Sequence, residues 1–400
     1  MKKLLIALFL CAAILPVYTQ DGRFRMPDRS FELGFAHVSA GFSNNFLSVG
    51  EFFQETAVID IDDLSKGLTL NLDFAVTPFY FSFNKNNRWG FGLSSGINAE
   101  GVVSLSGNML AFNEAESDKS DVGFALFADV QLSTFFHIAN FKIKASPSVY
   151  YPIVYVDSDV SYSFNASNSE LDLYYDMRVY TAWSMELAEN EGTTNLDARP
   201  GVDITLGIEY PLMKMLGLAE RFKILDFTLG ADFINIPIVP SQMRHYMGLW
   251  GQVSGSLDIF DEDSDFDNFF SSSDDDDDTM YGTANKNILR PFTLHTWADW
   301  HPFRKIPISF LTTLGFQINP LYEKPFSMEA GVRSRIDLKN ILIVDLGVGY
   351  HDRLWKNSID LALNLRFFEL NLGFDLRSAD FLKSWQGAGF GVDFGIRFGW

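Results

Sequence analysis

The chain has 400 residues, a formal net charge of −20 and 39 phenylalanines, far more than ordinary usage. Such an acidic chain does not attract nucleic acid through its bulk electrostatic field, so no nucleic-acid partner is expected. The length allows one large all-β domain or two or three smaller ones, and the single cysteine, Cys11, leaves little room for disulfide chemistry.

Residues 1–20 have the layout of a secretory signal peptide. Lys2 and Lys3 precede the apolar run LLIALFLCAAIL, which is too short to span a bilayer. Cleavage near residue 20 would remove Cys11 and with it all thiol chemistry. A lipoprotein cleavage at Cys11 is the alternative, but it would cut the apolar run in half, because the run continues to Leu15. No later segment approaches about 18 consecutive apolar residues, so no transmembrane helix is predicted.

Residues 21–66 are predicted to form an N-terminal segment that includes at most one strand. The stretch 31–42, FELGFAHVSAGF, could supply that strand. The stretch 44–66 lacks strand periodicity, and its apolar residues, interspersed with acidic ones, favour a short amphipathic helix. Two interpretations stay open: a plug inside a barrel, or a lid or surface loop at one mouth.

Residues 67–400 repeat one pattern, in which apolar and polar residues alternate with a period of two. This pattern predicts strands with one apolar face and one polar face. About fifteen such segments follow residue 67: 68–76, 89–105, 122–132, 141–153, 171–183, 202–210, 225–233, 247–259, 288–298, 306–318, 326–336, 342–350, 359–367, 368–376 and 388–400.

Many amphipathic strands can form either a soluble β-sandwich or propeller, or an outer-membrane barrel whose apolar faces point outward. Several segments reach the ~9–11 residues that a bilayer-crossing strand needs. Aromatic residues also recur at segment ends, as interfacial girdles require: Trp89, Trp183, Tyr210, Trp250, Trp297, Trp300, Tyr350, Trp355 and Trp385. The predicted fold is therefore all-β: a closed antiparallel transmembrane β-barrel of about 14–16 strands over residues 67–400, with the N-terminal plug or lid.

The strand number should be even, because both termini of such a barrel lie on the periplasmic side. Adding residues 31–42 gives sixteen strands, whereas fourteen result if two segments are one strand or if one segment does not cross. Counting back from Trp400 places the connections near 106–118, 157–169, 260–286 and 378–386 at the extracellular end.

The polar faces carry charges of both signs, and these residues are the candidates for the pore lining. They could set a transverse field that selects solutes, or they could be structural ion pairs of a hydrated wall. The candidates are Asp172, Asp176, Arg178, Glu329, Arg333, Arg335, Asp360, Arg366, Asp375, Arg377 and Arg397.

The stretch Gly92–Gly96, GLSSG, matches the G-x-S-x-G nucleophile elbow. That motif requires a sharp turn from strand to helix, whereas here it lies within an alternating segment. Small-residue packing on a strand is the favoured interpretation of Ser94. We expect no enzymatic activity and no cofactor.

The segment 261–278 is the most acidic stretch of the chain. Its alternating carboxylates are weak candidates for a divalent-cation site: Asp261, Asp263, Asp265 and Asp267. The calcium-loop pattern fails, since Phe266 stands where a glycine is needed and Ser272 where the bidentate glutamate belongs. A solvated, self-repelling loop is the alternative.

The chain finishes on the alternating stretch GVDFGIRFGW. The last strand of a barrel must be fully formed, because it closes against the first strand and leaves no edge in lipid. The final residues resemble the C-terminal signal by which outer-membrane barrels are recognised for insertion, carried here by Asp393, Gly395, Phe398 and Trp400. This resemblance implies the barrel-assembly machinery as a partner.

The size, the N-terminal non-strand segment and the phenylalanine content resemble the long-chain fatty-acid transporter (FadL-type) family. That resemblance implies a fourteen-stranded barrel with an N-terminal plug, from which hydrophobic substrates leave sideways through the wall. A kink at Pro78, where the apolar parity switches between Val76 and Phe79, would suit such a route. A β-bulge explains the switch equally well.

We therefore expect a channel or transporter in the outer membrane of a double-membrane bacterium, with membrane lipid and a small-molecule solute, either polar or hydrophobic, as partners. The alternative is a surface-displayed adhesin or ligand-binding barrel whose acidic loop 261–278 makes the contact.

Overall fold

The structure is a computed structural model, and it describes residues 29–45, 67–86, 88–110, 115–165, 170–184, 196–212, 226–256, 280–302, 307–322, 324–351 and 353–400. The predicted signal peptide, the segment 46–66 and the acidic loop 261–278 lie outside these ranges. Within them, no helix has the length and apolar character needed to cross a membrane.

Strands and two short helices account for most of the described chain. The helices are α1 (Gly107–Leu110) and α2 (Phe381–Trp385). The strands are β1 (Phe31–Asn44), β2 (Leu68–Lys85), β3 (Trp89–Leu105), β4 (Ala115–Ile138), β5 (Phe141–Asn165), β6 (Glu170–Thr181), β7 (Gly201–Pro211), β8 (Asp226–Val239), β9 (Ser241–Ser256), β10 (Met280–Ile288), β11 (Phe292–His301), β12 (Ile308–Ile318), β13 (Phe326–Leu338), β14 (Leu342–His351), β15 (Leu354–Leu365), β16 (Phe368–Ser378) and β17 (Gly389–Gly399).

Fourteen of these strands close into one antiparallel ring. Its order is β1-β2-β3-β4-β5-β7-β8-β11-β12-β13-β14-β15-β16-β17, and β17 pairs back onto β1. Closure removes the sheet edges that would otherwise present unpaired backbone groups. The predicted closed antiparallel barrel is confirmed, and its fourteen strands are the smaller of the two predicted numbers.

The other three strands, β6, β9 and β10, continue the wall beyond the ring. The outer half of β5 pairs with β6, β6 pairs with β9, and β9 pairs with β10. Two of them are nearly continuous with a ring strand, since only Pro240 separates β8 from β9 and residues 289–291 separate β10 from β11; β6 ends at Thr181, and the ring strand β7 begins at Gly201. The count of sixteen strands is thus too high by two. β6 and β7 occupy one position around the barrel, and β8 and β9 occupy another. We call β6, β9, β10 and the outer halves of β4 and β5 the extension.

The two ends of the barrel differ in their connections. At the end that carries Phe31 and Trp400, here called the terminal end, tight turns at 139–140, 339–340 and 366–367 place residues at positive φ. Such turns match the twist of paired strands. The strands that flank the connections predicted on the outside meet at the opposite, loop end: β3 and β4, β5 and β6, β9 and β10, and β16 and β17. One long connection, between β7 and β8, instead joins strand ends at the terminal end.

The apolar face of each alternating segment points out of the ring. The exposed apolar side chains include Leu93, Leu132, Ile143, Leu206, Met328, Val332, Leu346, Ile359, Leu372 and Phe394. The alternate positions point inward and carry buried polar groups such as Asn71, Ser148, Asp203 and Glu329. An apolar exterior around a polar interior is the arrangement of a barrel whose solvent is a bilayer, so the predicted orientation is confirmed.

Aromatic pairs between neighbouring strands surround the terminal end. Ring centroids are 4.5–5.7 Å apart in the pairs Phe31–Trp400, Phe83–Trp89, Phe141–Tyr210, Trp300–Phe310 and Phe368–Phe398. At the loop end Trp355 contacts Tyr350 and Phe381 at 5.3 and 4.9 Å. These rings mark the two levels at which an aromatic girdle is expected.

The parity switch at Pro78 is a β-bulge. The β2–β3 register shifts between Val76 and Phe79, while on the other side Phe79 still pairs with Phe35 and Thr77 with His37. Proline cannot donate to the ladder, which explains the local mismatch. The pairing resumes on both sides of the bulge.

Candidate functional site: the barrel lumen

The lumen contains a cavity of about 800 Å³ whose wall is polar and charged. Acidic side chains outnumber basic ones around it. The acidic group is Asp73, Glu100, Asp129, Glu209, Asp232, Asp299, Glu329, Asp360, Asp375 and Asp393, and the basic group is Lys142, Lys144, Arg290, Arg333, Arg335, Lys356 and Arg377.

Arg377 joins strands on both sides of the seam where β17 meets β1. Its guanidinium donates to both carboxylate oxygens of Asp73, at 2.7 and 2.8 Å, and it also binds Asp375. The side chain crosses Gly41 and Gly391, where any Cβ would overlap it. Arg377 is only 3% exposed, so its charge depends on these two carboxylates for compensation.

A second arginine, Arg290, occupies the wall between β10 and β11. It donates to Asp203 Oδ2 through Nε at 2.8 Å and to Oδ1 through Nη2 at 2.7 Å, and it lies 3.4 Å from Asp129. Its guanidinium also stacks on the Tyr150 ring at 4.9 Å, and it donates to the Ser148 hydroxyl. This cluster connects neighbouring strands of the wall at the level where the extension begins.

The connection between β12 and β13, described at residues 319–322, 324 and 325, folds into the barrel rather than away from it. We call it the crossing loop. Asn319 Nδ2 donates to Glu100 on β3 at 2.5 Å, and the Tyr322 hydroxyl donates to Asn71 on β2 at 3.1 Å. The strands β2 and β3 stand half a ring away from β12 and β13, so the loop spans the lumen.

The crossing loop is tightly held in this position. Asn319 and Tyr322 are buried, and the Arg353 guanidinium lies over the Tyr322 ring, 4.0 Å from its centroid. Gly123 on β4 lets the loop approach closely, since a Cβ there would lie 3.0 Å from the Leu321 carbonyl oxygen. The crossing loop therefore obstructs the cavity near the loop end of the barrel.

Three side chains that could hold a metal ion line the same cavity: His295, Glu329 and His351. Among the described residues they form the sole cluster of at least three histidine or carboxylate ligands with this proximity. The four aspartates proposed from the acidic loop lie outside the described ranges, so that hypothesis stays a prediction.

Six of the eleven pore-lining candidates line the cavity: Glu329, Arg333, Arg335, Asp360, Asp375 and Arg377. Arg335 forms a two-pronged ion pair with Asp345, at 3.0 and 2.8 Å, and Arg377 is paired as described above. Both arginines are therefore held in ion pairs, and whether the wall charges select solutes stays a prediction.

The other five candidates are not among the residues that line this cavity. Asp172, Asp176 and Arg178 belong to β6, which is in the extension and not in the ring; there Arg178 pairs with Asp176 at 3.1 Å. Period-two alternation is the same in a ring strand and in its continuation, which is why the pattern could not separate them. Arg366 sits in a turn at the terminal end with φ 58°, and Arg397 contacts the Tyr80 ring at 5.8 Å.

The terminal residues predicted as an assembly signal divide between the two faces of β17. Asp393 points inward and pairs with His37 at 2.9 Å, and Gly395 makes room for that imidazole. Phe398 and Trp400 are exposed on the outside. Ser94 lies within the continuous strand β3, so the turn from strand to helix that a nucleophile elbow requires is not formed.

Sequence reasoning missed the crossing loop, Arg290 and the two lumenal histidines. The crossing loop reads NPLYEKP, and its two prolines mark a turn without indicating the direction in which it folds. His295 and His351 occupy polar positions on separate strands, and only the strand register brings them together.

No protein-family model matches the sequence, and no curated protein sequence matches it. Among solved structures, the chain is similar to a Pseudomonas aeruginosa FadL homologue, with 10% identity, coverage of 93% of this chain and 90% of that chain, and a TM-score of 0.50. The fold is FadL-like. This likeness concerns the fold alone, and it agrees with the resemblance predicted from the sequence.

Two further solved structures share the barrel at lower structural similarity. The CymD monoaromatic hydrocarbon channel has 9% identity, coverage of 97% and 94%, and a TM-score of 0.47. The Pseudomonas putida toluene transporter TodX has 10% identity, coverage of 93% and 88%, and a TM-score of 0.43.

Proposed function

We propose that this FadL-like barrel passes small solutes across the outer membrane of a double-membrane bacterium, through its lumen. The observation that carries this proposal is the charged cavity of about 800 Å³ inside a closed ring whose exterior is apolar. A charged wall stabilises water and polar solutes, and its acidic excess favours cations over anions.

Flux through reconstituted liposomes tests this proposal. Liposomes that contain the folded protein should release or admit small polar solutes faster than protein-free liposomes, and a KCl gradient should give a reversal potential of cation-selective sign. The same flux should persist after deletion of residues 261–278. Folded protein with no flux above the protein-free control contradicts the proposal and leaves the surface-display alternative.

A second candidate is passage of hydrophobic solutes that leave sideways through the wall. It is favoured by three places near one level where strands of the wall are interrupted: between the end of β6 at Thr181 and the start of β7 at Gly201, at Pro240, and at residues 289–291. Buried aromatic side chains gather there, including Tyr150, Phe127 and Tyr180. Backbone hydrogen bonds between Arg199 and Gln242, and between Ala182 and Ile153, bridge this level, so a lateral route would need them to open.

The two candidates predict different effects of sealing the wall. A disulfide between cysteines introduced at positions 199 and 242, which pair directly, would prevent opening at this level. Uptake of a hydrophobic probe should then fall on oxidation and recover on reduction, whereas polar flux should not change. Hydrophobic uptake that is insensitive to this disulfide excludes the lateral route.

A further inference from the structure

We propose that His295, Glu329 and His351 bind a divalent transition-metal ion, such as Zn²⁺, on the lumen wall. The three side chains extend from β11, β13 and β14, and their ligand atoms all lie within 4.8 Å of one another. The inference does not depend on the proposed passage of solutes, since it concerns a site and not a route.

Strand register places the three ligands in one row. His295 pairs with Gly315, and Gly315 pairs with Glu329. Ala330 pairs with Tyr350, so Glu329 and His351 are the next residues opposite each other. Because side chains directly opposite in neighbouring strands share a face, all three point into the lumen.

One carboxylate oxygen lies near a ring nitrogen of each imidazole. Glu329 Oε2 is hydrogen-bonded to His295 Nε2 and lies 3.9 Å from His351 Nδ1. The two rings are 6.1 Å apart and inclined at 74°, so they approach the carboxylate from different directions. Small movements of the side chains within this separation would bring the three ligands to the ~2.0–2.2 Å that Zn²⁺ requires.

The surrounding glycines leave space for both imidazoles. A Cβ on Gly315 would lie 2.6 Å from His295 Cδ2, and Cβ atoms on Gly349 and Gly331 would lie 2.7 and 2.9 Å from His351 Nε2. Side chains at these positions would push the histidines out of the row. The absence of side chains at all three is an independent indication that the imidazoles are accommodated there.

The ligand set determines the class of ion. Two imidazole nitrogens and one carboxylate suit Zn²⁺, Co²⁺, Ni²⁺ or Cu²⁺, whereas Ca²⁺ and Mg²⁺ prefer oxygen ligands throughout. Glu329 is 3% exposed, and a cation beside it would compensate the cost of burying its charge. Three protein ligands leave a coordination position open toward the cavity.

Cobalt titration of the full-length, EDTA-treated protein without a polyhistidine tag tests the site. We expect visible absorption bands that saturate at one Co²⁺ per barrel and disappear when Zn²⁺ is added. His295→Ala and His351→Ala should each weaken binding at least ~10-fold, because each removes one of three ligands. Gly349→Ala should also weaken it, by displacing His351.

His37→Ala is the matched control. His37 also pairs with a lumenal carboxylate, Asp393, at 2.9 Å, but it belongs to no three-ligand cluster among the described residues, so its loss should leave Co²⁺ binding unchanged. Migration before and after boiling verifies that each variant is folded. Absence of saturable binding to the wild-type barrel overturns the proposal, and so does undiminished affinity in the folded His295→Ala/His351→Ala double variant.

Discussion

Tyr322 and Asn71 connect opposite walls of the barrel. The Tyr322 hydroxyl donates to Asn71 Oδ1 at 3.1 Å, although 251 positions separate the two residues in the chain. Both residues are buried, and the hydrogen bond fixes the crossing loop in the path of any solute that enters from the loop end.

The first prediction concerns this obstruction. Tyr322→Ala should raise the single-channel conductance in planar bilayers, because it removes both the hydrogen bond and the ring that stacks on Arg353. Tyr322→Phe keeps the ring and loses only the buried hydrogen bond, which stabilises by about 1 kcal/mol. Its conductance should therefore lie between those of the wild type and Tyr322→Ala. A folded Tyr322→Ala barrel with wild-type conductance would show that the loop does not limit passage.

The second prediction concerns the Arg377 cluster at the seam. Arg377→Met should lower the free energy of unfolding by about 3–5 kcal/mol, because it leaves Asp73 and Asp375 with uncompensated, largely buried charge. The measurement is urea-induced unfolding in detergent or lipid. Lys119→Met is the control, since Lys119 and Asp159 are about half exposed and such pairs contribute at most ~1 kcal/mol. Equal losses in both variants would refute the argument.

The third prediction separates a crowded glycine from an open one on the same strand. A Cβ on Gly41 would overlap the Arg377 guanidinium, whereas a Cβ on Gly34 would make ordinary contacts at 3.4 Å with Tyr80. Gly41→Ala should therefore destabilise the barrel by about 1–3 kcal/mol. Gly34→Ala should be neutral or slightly stabilising, because alanine restricts the unfolded chain. If the unfolding midpoints show the reverse order, Arg377 does not pack against Gly41 as described.

The fourth prediction concerns the aromatic residues near the terminal end. Trp400 stacks on Phe31 at 4.5 Å and Phe398 lies 5.4 Å from Phe368, so each adds about 0.5–1.5 kcal/mol to a strand pair near the seam. Trp400→Ala and Phe398→Ala should lower the fraction of heat-modifiable barrel in cell envelopes. Phe367→Ala alters an exposed ring in a turn at the same end and should have no effect. Unchanged folded fractions for all three would remove the assembly role predicted for these residues.

The alternation of residues, together with the length of the segments and the aromatic residues at their ends, predicted the closed barrel and the orientation of its faces. A period of two assigns Leu93 and Val332 to one face and Ser94 and Arg333 to the other, whatever the partner strands are. Abundant outward-facing phenylalanines then require a lipid environment. For the same reason the pattern could not tell a ring strand from its continuation, and β6 was assigned to the pore wall although it lies in the extension.

The sequence by itself determined the fold class, the apolar exterior and the end at which the four predicted outer connections leave the strands, because these follow from local periodicity and chain direction. Only the tertiary structure decided which charges meet, since register alone sets His295, Glu329 and His351 in one row and carries Arg377 across to Asp73. It also decided that the crossing loop folds inward, because that direction depends on Asn71 and Glu100, which are distant in the chain and adjacent only after the ring has closed.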